Sequence, residues 1–426
     1  MRRSPSHSTC FWSRGLALLL VALVVVLAAA SFAAATTTDG ATPDADVASP
    51  SPSPSPSPTE PTPEPTAITC VLSKDLVVFG TSVEVSGLVT PAVAGQEVAV
   101  NIGGVDVVTT ATDASGAYAV EVVPHRSGAV VARVVVDGTL SDPQAISVKP
   151  KVTFSHGAAV PFLSARVVVN VAPAAYDGLV SVRVVHRGDV VGTYRGRPRD
   201  GRVTLSVPLR GIDGFTFTAS LPASKGLVAR TAQERIDVPW RRLSVGSTGA
   251  HVKGMLTAFQ RLKIRVPGVG TRLSSQCGDA VMAFQKAYRL SRSYVFDHDD
   301  WRRLDGAKTV RPRHASPSLH IEVDKTRQIL MVVKNGAVAG LICVSTGATG
   351  NTPEGAFHIQ QKHPYTTSGY GGILFRTMGF LGDFAIHGYA PVPPYPASHG
   401  CIREPMWVAD WVYNQSFVGE RVYVYR

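Results

Sequence analysis

Cysteine is scarce in this chain, with five in 426 residues. Cys10 precedes the first apolar run, and Cys70, Cys277 and Cys343 fall in separate predicted modules, so no disulfide framework is indicated. If Cys401 stays a thiol, three others remain, and the sequence leaves open whether two of them pair. A second membrane-length apolar run is missing, as is any recognisable nucleic-acid-binding motif. The formal net charge of +11 therefore points to anionic polymers or a membrane surface, not to nucleic acid. Helix signals are few between residues 67 and 239. The Cys…Trp…Cys spacing of antibody domains is absent there too.

What is present begins with Arg2, Arg3 and Arg14, set before an apolar run from about Gly15 to Ala34 that ends Ser31-Phe32-Ala33-Ala34-Ala35. A basic start, an apolar centre and an Ala-x-Ala site read as an export signal. The run also has the length of a membrane span, so residues 1–35 are a signal peptide or an uncleaved N-terminal anchor. Both alternatives place the rest of the chain outside the cytoplasm. Residues 36–66 form a Pro/Ser/Thr-rich linker, with repeated Ser-Pro pairs from Ser49 onward. Such a tract favours extended polyproline II and acts as a semi-rigid spacer.

From 67 to 149, alternating runs such as Ser82–Ser86, Glu97–Asn101 and Ala117–Val123 predict short strands. Asp113-Ala114-Ser115-Gly116 reads as a hairpin turn between two of them. Residues 150–239 repeat the style with Arg166–Val171, Leu179–Val185 and Val203–Val207. The expectation is two immunoglobulin-like β-sandwich modules, read as stalks without ligands.

Residues 243–306 change character. Val252, Met255, Leu256 and Phe259 recur at helical spacing, as do Val281, Phe284 and Tyr288. With Leu243–Val252, Ala280–Gln285 and Trp301–Leu304, this stretch resembles the small three-helix peptidoglycan-binding domain. The aromatic or glycine residues usual between the first two helices of that family are replaced by Arg265-Val-Pro-Gly268-Val-Gly270. The resemblance thus speaks for the fold before it speaks for a glycan ligand.

The last stretch, 317–426, opens with strand-like runs at Leu319–Asp324, Gln328–Val333 and Ala337–Ser345. Asn335-Gly336 between the second and third is a type I′ hairpin signal. A helix is predicted at Pro405–Asn414. Its N-terminus would lower the Cys401 pKa only if it points at the thiol. Near the end stand Ile386-His387-Gly388 and Ser398-His399-Gly400-Cys401-Ile402-Arg403. A thiol needs a nearby imidazole to become a nucleophile at neutral pH. These residues, with Thr346-Gly347 and Thr352-Pro353-Glu354-Gly355, resemble the YkuD-type L,D-transpeptidases, which cross-link bacterial peptidoglycan. The stretch between the two motifs, Tyr389–Ala397, is short for that family and rich in proline. Prolines stiffen such a loop by narrowing its unfolded ensemble.

The resemblance implies a mostly β catalytic domain, and with the modules before it the chain is expected to be multidomain and mainly β. It implies Cys401 as nucleophile and His387 as base, oriented by the Gly388 carbonyl, with His399 in support on the substrate side. Two residues apart in a strand, His399 and Cys401 would share a face. Gly400 would let the backbone approach a substrate, and the N–H groups of Gly400 and Cys401 are the candidate oxyanion donors. Arg403 suits a stem-peptide carboxylate, Ser398 lies beside it, and Phe375 and Met378 are candidate substrate contacts. Phe375, Met378 and Phe380 fit a lid or core packing equally. His320, His358 and His363 read as ordinary surface or strand residues.

No cofactor or metal is expected. His387, His399 and Cys401 are zinc-type ligands, but the thiol chemistry accounts for them without a metal and no acidic general base lies nearby. The implied reaction is acyl transfer giving 3→3 cross-links between stem peptides; water as acceptor would make it an L,D-carboxypeptidase. A different class of reading is a non-enzymatic wall-binding adaptor, against which the intact thiol and histidines argue. The expected partners are peptidoglycan stem peptides and glycan, with no nucleic acid, and membrane only through the N-terminal segment. The expected state is an exported monomer at the cell wall or the outer membrane face.

Overall fold

A computed structural model describes residues 66–426 except Tyr370. The expected export segment and the Pro/Ser/Thr-rich linker up to residue 65 lie outside the described residues. No helix among the described residues is long and apolar enough to cross a membrane.

Alternating valines build the first module. Val83, Val85 and Val89 point inward from Val83–Thr90, which pairs with Ala117–Val122 and with two short segments at Ala67–Ile68 and Val71–Leu72. The facing sheet runs in the order Leu76–Val78, Gln144–Lys149, Gly128–Val134, Glu97–Ile102, Val105–Ala111. The Asp113 turn forms, with Asp113 Oδ1 accepting the Ser115 and Ala117 N–H groups at 2.8 and 3.0 Å. It is not a hairpin, however. Val105–Ala111 and Ala117–Val122 belong to different sheets, so the turn is a corner of the sandwich. Turn residues encode a local reversal and say nothing of which sheet receives the chain.

The second module faces a three-stranded sheet (Lys151–His156, Ser164–Ala172, Arg202–Pro208) with a four-stranded one (Val180–His186, Asp189–Gly196, Asp213–Leu221, Arg230–Val238). Only Pro150 separates it from the last strand of the first module. Buried apolar residues from Ile68 to Val238 form one continuous cluster across both. At the junction, Val228 N–H donates to Val148 O and Ser127 N–H to Gly226 O, at 2.9 and 2.7 Å.

Three helices follow: α1 (Ala250–Arg261), α2 (Ser275–Ala287) and α3 (His298–Leu304). Val252, Met255, Leu256 and Phe259 are fully buried along α1, as their spacing predicts. Ser274 caps α2, and Asp297 with Asp300 forms a capping box on α3. The core of these helices is not private. Phe162 and Ile212 of the second sandwich enter it, as do Ile329, Met331, Val333, Leu341 and Cys343 from the C-terminal domain.

The C-terminal domain has two sheets. One runs Ala337–Cys343, Ile329–Lys334, Leu319–Asp324, Arg421–Tyr425, Gly355–His358; the other runs Gln361–Thr367, Ile373–Leu381, Phe384–Gly388, Ile402–Glu404. Asn335 and Gly336 take φ of 52° and 70°, as the Asn-Gly hairpin requires. Ile329–Val333 is buried at every position because it is covered on both faces. Leu330 and Val332 face the second sheet and α4 (Met406–Gln415), while Ile329, Met331 and Val333 face the helices. That explains a continuous apolar run where a one-sided strand would alternate.

Candidate active site

The histidine and the cysteine arrive on neighbouring strands. Phe384–Gly388 pairs in parallel with Ile402–Glu404, placing Ile386 beside Ile402, His387 beside Arg403 and Gly388 beside Glu404. Side chains at paired positions point the same way and alternate along each strand. His387, Arg403 and Cys401 therefore share one face, while Ile386 and Ile402 sink into the core on the other.

His387 is 2% exposed, and its Nδ1 donates to the Gly388 carbonyl at 3.2 Å. A carbonyl can only accept, so this contact fixes the proton on Nδ1 and leaves Nε2 as the basic nitrogen. Burial pulls the His387 pKa down to about 4, opposed by the Gly388 bond and reinforced by the Arg403 charge. The imidazole is thus neutral and able to take a proton at neutral pH. Cys401 is half-buried and its Sγ–H donates to Asp383 O at 3.4 Å. Burial pushes the thiol up, more strongly than a backbone contact at Ala385 and the Arg403 charge pull it down. Thiol and imidazole are therefore both neutral at rest.

Tyr389 completes this face. Its ring meets His387 edge-on at 5.8 Å and carries the Arg403 guanidinium 4.5 Å above it. Nothing in the residue pattern marked Tyr389. Its position directly after His-Gly was the only available signal.

The Ser398–Cys401 turn is held from beneath by the segment containing Thr346-Gly347 and Thr352. Thr352 Oγ1 accepts from Gly347 N–H at 2.8 Å and donates to Gly400 O at 2.6 Å. Asn351 Nδ2 donates to His399 O at 2.7 Å, and Ser398 N–H donates to Thr346 O at 3.0 Å. Gln328 Oε1 then accepts from Thr346 N–H at 2.8 Å, and its Nε2 donates to the Thr346 hydroxyl at 2.7 Å. Asn351 and Gln328 were not read as site residues, because single amides carry no spacing signature.

Gly400 has φ of 142°, and a Cβ there would lie 2.6 Å from the Phe384 ring. Glycine is required by backbone and crowding together. Its N–H donates to Ser398 Oγ at 3.0 Å, and the Ser398 hydroxyl donates to Cys401 O at 2.5 Å. Ser398, 4% exposed, is therefore engaged within the turn on both sides and presents no hydroxyl to a substrate. The Gly400 N–H is likewise taken, which leaves Cys401 N–H as the candidate oxyanion donor of that pair. His399 is exposed at the tip of the turn.

Met378 is fully buried in the core of the two sheets with Phe380, so of the two readings for these residues it is the packing one that holds. Phe375 is half-buried and pairs with Gly388, where a Cβ would meet its ring at 3.0 Å. It stays beside the histidine. His320 is buried against Glu322 at 3.2 Å, while His358 and His363 are exposed, all away from the thiol. No grouping of three His, Cys, Asp or Glu side chains suited to a metal occurs among the described residues. Cys70, Cys277 and Cys343 are buried and unpaired.

Residues 318–424 match the family model YkuD, the L,D-transpeptidase catalytic domain. The C-terminal domain is an L,D-transpeptidase catalytic domain. Among solved structures, the chain is similar to residues 123–326 of the L,D-transpeptidase from Xylanimonas cellulosilytica, at 29% identity over 45% of this chain and 100% of that one, with a TM-score of 0.42. It is similar also to the L,D-transpeptidase from Stackebrandtia nassauensis, at 22% identity over 44% and 97%, TM-score 0.31. An L,D-transpeptidase from Mycobacterium smegmatis is 13% identical over 65% and 99%, TM-score 0.25. No curated protein matches the chain.

Proposed function

We propose that this protein is an exported peptidoglycan L,D-transpeptidase that forms 3→3 cross-links through a Cys401 acyl-enzyme. The observation that carries this is the shared face of His387, Arg403 and Cys401, with Nδ1 of His387 committed to Gly388 O. His387 Nε2 takes the thiol proton as sulfur attacks the carbonyl that follows the third residue of a donor tetrapeptide stem. The tetrahedral oxyanion is met by Cys401 N–H. The carbon–nitrogen bond breaks, the terminal D-alanine leaves with the proton returned by His387, and a thioester remains.

The side-chain amine of an acceptor stem's diamino residue then attacks the thioester. Its surplus proton passes through His387 to the departing sulfur, restoring the thiol and leaving an amide. Arg403, braced on Tyr389, offers a bidentate fork to a stem carboxylate, and exposed His399 lies on the substrate side. Because the thiol and imidazole are both neutral at rest, the proton moves during attack and not before it. Water in place of the amine gives L,D-carboxypeptidase action with the same residues.

The test is to supply a synthetic donor tetrapeptide and a tripeptide acceptor and to follow products by mass. A peptide dimer with loss of one D-alanine supports cross-linking. Free D-alanine with no dimer, the acceptor saturating, replaces it with the carboxypeptidase.

A further inference from the structure

The loop between the two motifs, Tyr389–Ala397, carries four prolines and so few N–H donors of its own. Its carbonyls are taken instead, one after another. Tyr294 OH donates to Val392 O at 3.0 Å, Lys286 Nζ to Pro393 O at 3.3 Å, Arg292 Nη1 to Pro394 O at 2.8 Å, and Ser345 Oγ to Tyr395 O at 2.8 Å. Three of the four donors belong to the helical module, on α2 or directly after it.

Two of them are themselves anchored. Lys286 is fully buried, and its Nζ also donates to Val344 O at 2.7 Å. Arg292 Nη2 spans the carbonyls of Thr326 and Arg327, both at 3.2 Å. Elsewhere along α2, Asp279 accepts from Trp407 Nε1 at 3.0 Å, which ties α4 to the same helix.

The opposite end of the module is equally committed. Arg265 N–H donates to Leu341 O and Leu341 N–H to Lys263 O, at 3.0 and 2.8 Å, so the segment after α1 extends the catalytic sheet. The Arg265 guanidinium lies 4.2 Å over Trp411. The Arg-Val-Pro insertion that departs from the wall-binding pattern is therefore an interface.

We propose that the helical module serves the reaction as the frame of the active-site loop, with Lys286, Arg292 and Tyr294 as positioning residues that set the path between His387 and Cys401. The loop ends are already fixed by Tyr389 N–H to Glu404 O and Ala397 N–H to Thr346 O, both at 2.9 Å. The module holds the span between them, the stretch of chain that joins the two motifs. This rests on Cys401 being the acylated nucleophile.

The test uses the whole exported chain carrying Tyr294→Phe with Arg292→Gln, and separately Lys286→Met. Two quantities are read: hydrogen exchange at the Ala390, Val392 and Tyr395 amides, and the ratio of Cys401 acylation by a carbapenem to its alkylation by iodoacetamide. Alkylation needs only the thiolate, whereas acylation needs the cleft shaped around a peptide-like substrate. With thermal stability retained by Tyr294→Phe/Arg292→Gln, loop exchange rises about tenfold and the ratio falls about tenfold, the scale of a lost hydrogen bond. An unchanged ratio overturns the proposal, whether or not exchange rises. Should the wild type itself resist the carbapenem, it is the nucleophile assignment that fails, and loop exchange alone then decides whether the module holds the loop.

Discussion

Burial shifts His387 and Cys401 in opposite directions. His387 keeps its basic nitrogen unprotonated because burial disfavours the cation, so its neutral form persists down to about pH 4 and turnover loses its base only below that. Cys401 is pushed up, and at neutral pH it is a thiol. Alkylation of Cys401 by iodoacetamide should therefore climb continuously from about pH 6 to about pH 10. A flat plateau from about pH 5 to 8 would indicate a preformed thiolate–imidazolium pair and contradict this reading.

Glu404, one residue past Arg403, is fully buried with both carboxyl oxygens lacking a hydrogen-bond partner, and burial raises its pKa well above the carboxylate range. The folded protein thus holds a proton that the unfolded chain releases, so this site opposes folding increasingly as pH rises above the unfolded pKa. Glu404→Leu should stabilise the protein by about 1–3 kcal/mol, the range for removing an unsatisfied buried polar group. The gain in midpoint by chemical denaturation should be larger at pH 8 than at pH 5. A gain that shrinks with pH contradicts the assignment.

At the scale of elements, the Ser398–Cys401 turn depends on a second segment far off in sequence. Thr352→Val removes one hydroxyl and strands both Gly347 N–H and Gly400 O, at a cost of about 1–3 kcal/mol. Acylation of Cys401 should slow by about tenfold or more while the fold persists by circular dichroism, since the turn loses its underside first. Unchanged acylation contradicts the cradle. How much of this was legible varies by element. The strand runs, the Asn335-Gly336 hairpin, α1, α2 and the His-Gly and Ser-His-Gly-Cys pair could be read because periodicity and adjacency are local properties. The corner at Asp113 misled because the same turn chemistry serves a hairpin and a change of sheet. Ser398 and Met378 looked like substrate contacts from proximity in sequence, whereas pairing within the turn and inward orientation decide their roles. Lys286, Arg292 and Tyr294 lie about a hundred residues from the loop they hold, with carbonyls as partners, and no side-chain pattern records such contacts.

For the whole molecule, cores are shared across boundaries that composition draws sharply. The two sandwiches share one apolar cluster, and the catalytic sheet buries Ile329, Met331, Val333 and Leu341 under α1 and α2. Burial of each such side chain stabilises by about 1.5–3 kcal/mol. A chain starting at residue 317 should therefore aggregate or melt far lower than one starting at residue 243, measured by light scattering and thermal melting. Equal stability would show that the catalytic domain stands alone. The three-helix unit read from the sequence shares its core with both of its neighbours.

The central claim is that Cys401 is an acylatable nucleophile served by His387. Its most direct test is the intact mass of the purified protein after incubation with a carbapenem, beside Cys401→Ala and His387→Gln. The account predicts one adduct on the wild type, none on Cys401→Ala, and acylation slowed by at least about a hundredfold in His387→Gln. A folded wild type with a reduced Cys401 and no adduct, or an adduct that survives Cys401→Ala, would contradict it.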